Sequence, residues 1–305
     1  NTTPDGTSGE ITFDATAPTT APTVNLLTTN DTTPTITGTA TLATGETLSV
    51  VVNGATYDDV TVSGGTWSVD TGTTPDSGTL GTFTDGPYNV DATVTDSAGN
   101  TTPDGTSGEI TFDATAPAVP TIDVQATNNP TPLLTGDAEA GSTVTVVVGG
   151  ATFIVTADVA GQWSVDTSTP PNSGTFSPNT NGSNEVVVTS TDAAGNATND
   201  ATTNELTIDT VAPVVPTIDA QTTSDLTPLL TGDAEADSTV TVVVGGATYT
   251  VIADGSGEWS VDLATAIPTS GTLTLMDGNT YDVVVTSTDA VGNATSDGTT
   301  NELAI

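Results

Sequence analysis

The sequence predicts an all-β chain of Greek-key β-sandwiches arranged end to end. Three observations carry that expectation. Trp67, Trp163 and Trp259 recur at intervals of 96 residues, each opening a Trp-Ser-Val-Asp tetrad. Between them apolar and polar residues alternate with a period of two, as in Tyr88, Val90, Ala92 and Val94, the pattern of a half-buried strand. Glycine and proline, 31 and 18 in 305 residues, punctuate these runs as turn residues do.

The second repeat shows each element in order. Strands are expected at 120–124, 132–139, 143–148, 151–158, 162–166, 185–192 and 204–209, with Gly149 and Gly150 turning the third into the fourth. Seven short strands in under a hundred residues, with one large aromatic entering the core, describe a sandwich. The connection over 167–183, rich in Pro, Ser and Asn, is the expected mobile loop.

Repeat boundaries follow from recurring motifs. Asp-x-x-Ala-Pro occurs at Asp14, Asp113 and Asp209, and residues 1–18 return unchanged as 100–117. Cutting after those aspartates gives repeats at 15–113, 114–209 and 210–305, each large enough to fold alone. Residues 1–14 then read as the last strand and linker of a preceding repeat, disordered or borrowing a neighbour's edge. The chain reads as an excerpt of a longer array.

Composition narrows function sharply. There are 38 Asp and Glu and no Lys, Arg, His or Cys, for a formal charge of −38. Nucleophilic catalysis through Ser-His or Cys, imidazole or thiolate zinc sites and lysine chemistry are all ruled out. Nucleic acid is excluded as a partner, because a phosphate polymer needs counter-charge. Direct membrane contact is disfavoured for the same reason, and no run of about 18 apolar residues spans a bilayer. Paired carboxylates leave one enzymatic route open, but three copies of one surface without a cleft-building insertion argue that the protein is not an enzyme.

Oxygen ligands alone point to hard cations, calcium first. Asp-x-x-Gly-Asn recurs at Asp96 to Asn100, Asp192 to Asn196 and Asp289 to Asn293. Strand direction puts that turn at the pole facing the preceding repeat, together with Asp137 and Glu139, or Asp233 and Glu235. Asp113 should therefore approach Asp137, Glu139, Asp192 and Asn196, and Asp209 should approach Asp233, Glu235, Asp289 and Asn293. Each motif also has a plainer reading. Asp-x-x-Gly-Asn is a competent turn, Gly-Asp-Ala-Glu a solvated strand end, and Asp-x-x-Ala-Pro a stiff linker.

The first repeat departs from the pattern. It has Gly38, Thr39 and Thr41 where the others carry Gly-Asp-Ala-Glu, so its lower pole keeps only Asp14, Asp96 and Asn100 and is expected to bind calcium weakly or not at all. Thr33, Thr35, Thr37, Thr39 and Thr41 line one strand face, a surface of the kind ice-binding proteins present, though Thr is also the default solvent-face residue in a lysine-free strand. The tryptophans read as core residues rather than sugar platforms. Tyr88 and Tyr281 resemble a tyrosine corner, which Asn184 breaks in the second repeat.

Together, Asp-x-x-Ala-Pro, Trp-Ser-Val-Asp and Asp-x-x-Gly-Asn resemble the bacterial Ig-like repeats in the extender regions of giant RTX-type and biofilm-associated adhesins, including a calcium-stabilised extender of an ice-binding adhesin. The resemblance implies Ig-like domains in a secreted, cell-surface protein of a Gram-negative bacterium. It implies a monomeric extended rod whose neighbouring repeats share calcium at their junctions and hold a distal binding domain away from the cell. The alternative is a ligand-binding module for glycan, ice or a host protein, with the first repeat the candidate.

Overall fold

A computed structural model of the protein describes residues 13–305. The remnant expected over residues 1–14 lies outside the described residues except for Phe13 and Asp14. The chain is all β, with no helix among the described residues, and its strands surround three separate apolar cores. The first core runs from Ile36 to Phe112, the second from Ile122 to Ile208 and the third from Leu230 to Leu303.

In the second unit one layer is a five-stranded antiparallel sheet, in the order Ser173–Gly174, Ala151–Thr156, Thr143–Val148, Val186–Thr191 and Ala197–Asn199. The alternation of the sequence is realised here: Val144, Val146 and Val148 are buried, while Thr143 and Val147 face solvent. The opposing layer pairs Leu133–Asp137 with Gln162–Asp166, and Gln125–Thr127 lies parallel to Leu206–Asp209.

The entering segment is split between these sheets. Amides of Thr121 and Asp123 donate to the carbonyls of Asp137 and Thr135; the Gln125 amide then donates to Glu205 on the other side. The strand expected at 120–124 is thus the first half of a segment that changes partner. The connection over 167–183 is stitched at two points. Ser173–Gly174 pairs with the start of Ala151–Thr156, and Asn181–Asn184 pairs with Leu206–Asp209.

Each tryptophan is enclosed, at 3% exposure, and stands across the ladder from a glycine: Gly38 from Trp67, Gly136 from Trp163, Gly232 from Trp259. The indole lies over the glycine and donates from Nε1 to Thr121 in the second unit and Thr217 in the third, both at 3.2 Å. Any side chain at the glycine would occupy that space. The core reading of the tryptophans holds.

The first unit differs in one strand. Ala55–Tyr57 spans three residues where Ala151–Thr156 spans six, because Asp58 and Asp59 follow, the latter left-handed at φ 52°. The chain leaves the large sheet there, and Val62–Ser63 pairs instead with Trp67 and Thr66. The tyrosine motif is also more general than the sequence suggested. Tyr88 accepts from the Thr84 amide and donates to its carbonyl; Asn184 accepts from the Asn179 amide and donates to its carbonyl.

Gly136→Ala places a Cβ against the Thr121 carbonyl and the Trp163 ring. Overpacking of this kind costs about 1–3 kcal/mol, so one of the three cores should unfold at lower urea by tryptophan fluorescence. An unchanged curve would show that the contact yields freely.

Candidate functional site: the turn that grips the neighbouring unit

The Asp-x-x-Gly-Asn turn is built around one carboxylate. Asp192 Oδ1 accepts the amides of Ala194, Gly195 and Asn196 at 2.8–2.9 Å, and Oδ2 accepts Asn196 Nδ2 at 2.8 Å. Gly195 sits at φ 97°, a conformation glycine adopts freely. Asp289 repeats the arrangement with Val291, Gly292 and Asn293, and Asp96 with Ala98 and Asn100. The turn reading of this motif describes its internal geometry.

Its outward geometry is a joint. The second N–H of the Asn196 amide donates to the carbonyl of Asp113, the residue that closes the preceding unit, at 2.9 Å. Asn293 donates to the Asp209 carbonyl at 2.9 Å and Asn100 to that of Asp14 at 3.2 Å. Thr198 and Thr102 fasten the linker further on, donating to the carbonyls of Pro117 and Pro18. At the first joint Asn30 adds two bonds, from its amide to the Ala194 carbonyl and from Nδ2 to Asn196 Oδ1.

Other predicted residues go elsewhere. Asp137 stands in a cleft of about 670 Å³ on the open face of the short sheet, with Asp123 and Asp158. Asp233 stands in the equivalent cleft of about 450 Å³ with Asp219, Asp254 and Glu258. In the first unit the same cleft is neutral, with Asn25, Thr37 and Thr39 among its lining. Glu235 does reach a linker, accepting the Val214 amide at 3.3 Å; the Glu139 carbonyl caps Ser142 within its own turn. Among the described residues no three acidic side chains gather closely enough to hold an ion by themselves.

Sequence reasoning missed Asn30 and Asp85. Asp85 lies at the first joint, accepting the Ala114 amide at 2.7 Å and the Thr115 hydroxyl at 2.6 Å; Asn181 takes that place at the second. A lone aspartate before a glycine gave no signal beyond a turn. It missed, too, a set of buried glutamates, although these recur visibly at Glu109, Glu205 and Glu302, each before Ile or Leu.

The hydrogen bonds also set the charge. Side-chain donation from Thr115 and the Ala114 amide holds Asp85 below the usual carboxylate range. For Asp96 donation from the Asn100 side chain is the largest influence and lowers it; burial comes next and pushes upward, and the backbone amides of Asn100, Ala98 and Gly99 add to the lowering. For Asp192 and Asp289 burial is the largest influence and pushes upward, but the Asn side chain and three amides together outweigh it.

The family model described as a bacterial Ig-like domain matches residues 8–114 and 122–210. A solved Ca2+-stabilized adhesin that helps an Antarctic bacterium reach out and bind ice is 28% identical, covering 96% of this chain and 75% of that one at a TM-score of 0.39. A structure concerned with host cell surface retention of a 1.5-MDa bacterial ice-binding adhesin is 25% identical over 94% and 99%, at 0.33. A tetra-tandem repeat in the extending region of a large adhesion protein is 23% identical over 92% and 74%, at 0.30. Among curated proteins none matches.

Because the folded values of Asp96, Asp192 and Asp289 are lowered, the stability these groups contribute is complete above the unfolded value, about 3.9, and is lost as pH falls through the folded ones. The melting temperature should therefore fall as pH drops below about 4. The fall should be shallower in Asp192→Asn and Asp289→Asn, followed by circular dichroism; equal slopes would remove these turns as its source.

Proposed function

The chain belongs to the bacterial Ig-like domain family, and from that premise we propose that it is a spacer in a large bacterial surface adhesin, stiffened at its joints by calcium. The units are those of residues 15–113, 114–209 and 210–305, and their role is to project a binding domain from a Gram-negative cell rather than to catalyse a reaction. The observation that carries this reading is the joint itself. In each unit the Asn of the same turn grips the carbonyl of Asp14, Asp113 or Asp209, the residue before the linker.

The donors fit a hard cation. The acids at each joint have no cationic side chain in the chain to neutralise them, and main-chain carbonyls and Asn side chains lie alongside. Asp113 and Asp192 would contribute carboxylates at the first joint, and Asp209 and Asp289 at the second, with main-chain carbonyls completing the set. Calcium supplies the positive charge that lets these groups stay close. Without it their repulsion works against the few hydrogen bonds that cross the joint. Extracellular calcium modules bind at about 10⁻⁴–10⁻³ M, and a site saturated a hundredfold adds about 2.7 kcal/mol.

Small-angle scattering with EDTA, then with millimolar calcium, tests this, with magnesium as control. Calcium alone should lengthen the particle and raise its melting temperature, and Asp113→Asn with Asp209→Asn should remove most of the lengthening. Identical profiles with and without calcium would sink the joint mechanism.

A further inference from the structure

Outside the joints, each unit holds one carboxyl group where carboxyl groups are rarest. Glu109, Glu205 and Glu302 are 2%, 2% and 5% exposed. In each, Oε2 accepts a strand amide, from Val90 at 3.0 Å, Val186 at 3.2 Å and Val283 at 2.9 Å. Oε1 is enclosed and meets no protein donor in any of the three. A buried charge is stable only when paired or coordinated, and this chain has no cationic side chain to pair it.

What lies beside it is a second carboxylate. Two residues further along the same strand edge, the amides of Ala92, Val188 and Val285 are taken by Oδ1 of Asp104, Asp200 and Asp297, at 3.1, 2.8 and 2.7 Å. In an extended strand the N–H and C=O of one residue face the same side. The carbonyls of Val90, Val186 and Val283 therefore face this edge, between the two carboxylates. The pair keeps the same spacing of five residues in all three units, with a threonine hydroxyl from Thr106, Thr202 or Thr299 on the far oxygen of the aspartate.

We propose that each unit binds a hard divalent cation of calcium's size inside its own body, between the orphaned Oε1 of Glu109, Glu205 or Glu302, the carboxylate of Asp104, Asp200 or Asp297, and the valine carbonyl between them. Two carboxylates and a carbonyl are fewer acids than a cage of three, but calcium accepts main-chain oxygens readily. Magnesium's stricter octahedral demand makes it the poorer fit. The cation would neutralise the buried carboxylate and tie two side-chain staples of one strand edge together. This site does not depend on calcium at the joints.

The test is calorimetric titration of the whole chain with calcium chloride, with magnesium chloride as control. Glu109→Gln, Glu205→Gln and Glu302→Gln combined should bind one calcium ion fewer per unit, or bind it at least tenfold more weakly. Asp113→Asn with Asp209→Asn should leave those ions in place, which separates this site from the joints. Asp104→Asn, Asp200→Asn and Asp297→Asn combined keep an oxygen for the strand amide; they are the set to read if the glutamine chain loses its β-sheet circular dichroism. Unchanged stoichiometry and affinity in the folded set, or no binding by the wild-type chain, would overturn the proposal.

Discussion

A chain with 38 carboxyl groups and no lysine, arginine or histidine must set each negative charge against a backbone amide, a hydroxyl, water or an ion from outside. Much of the local structure follows. Asp31, Asp70, Asp158, Asp166 and Asp262 each accept the amide two residues on, bending the chain where a charge needs a donor. Threonine and serine then serve twice: their branched or small side chains suit a strand face, and their hydroxyls donate, as Thr135 does to Asp123 at 2.6 Å. Turns and strands with hydroxyl faces are what this inventory can stabilise, and lysine-to-glutamate pairing along a helix is not available to it.

The same device makes the joint. An asparagine amide has two N–H groups, and in the Asp-x-x-Gly-Asn turn one satisfies the aspartate of its own turn while the other reaches the preceding unit's last carbonyl. Formation of the turn and capture of the neighbour are therefore coupled through one side chain. The amide that folds the loop also fixes which carbonyl it can reach, so a repeat that folds correctly presents its grip automatically. This is why the motif keeps its spacing in all three units while the loops around it vary.

Much of the fold was legible because it rests on periodicity and on large landmarks. Thr143–Val148 and Gln162–Asp166 were read to the residue, the first from alternation ended by two glycines, the second from its tryptophan. The entering strand was harder. It changes partner between Asp123 and Gln125, and no local pattern announces which sheet an extended segment joins. At the joint, Asp113, Asp192, Asn196, Asp209, Asp289 and Asn293 were found from motifs, since a turn at a pole has few places to go. Asp137 and Asp233 project from strand ends onto the open face of the short sheet, into clefts shared with Asp158 and Asp254; their pole was readable but their face was not. The buried glutamates escaped because charge is expected outside, yet a strand edge that needs an acceptor can draw a carboxyl inward.

The first unit shows charge moved rather than merely lost. Its short-sheet cleft has Asn25 and Thr39 where the second unit has Asp123 and Asp137. At the opposite end it carries Asp31 and Asp85 where the second unit has Asn129 and Asn181. Two carboxylates thus stand at this end of the first unit where the second unit has neutral amides. The first joint is also the one where Asn30 contributes two bonds beyond the shared amide-to-carbonyl contact. Extra donors placed where extra acids gather are what a joint needs if it must keep its geometry when no cation is bound. The two joints are therefore not interchangeable copies: one sequence motif sets the grip at both, while the acids and asparagines around it differ.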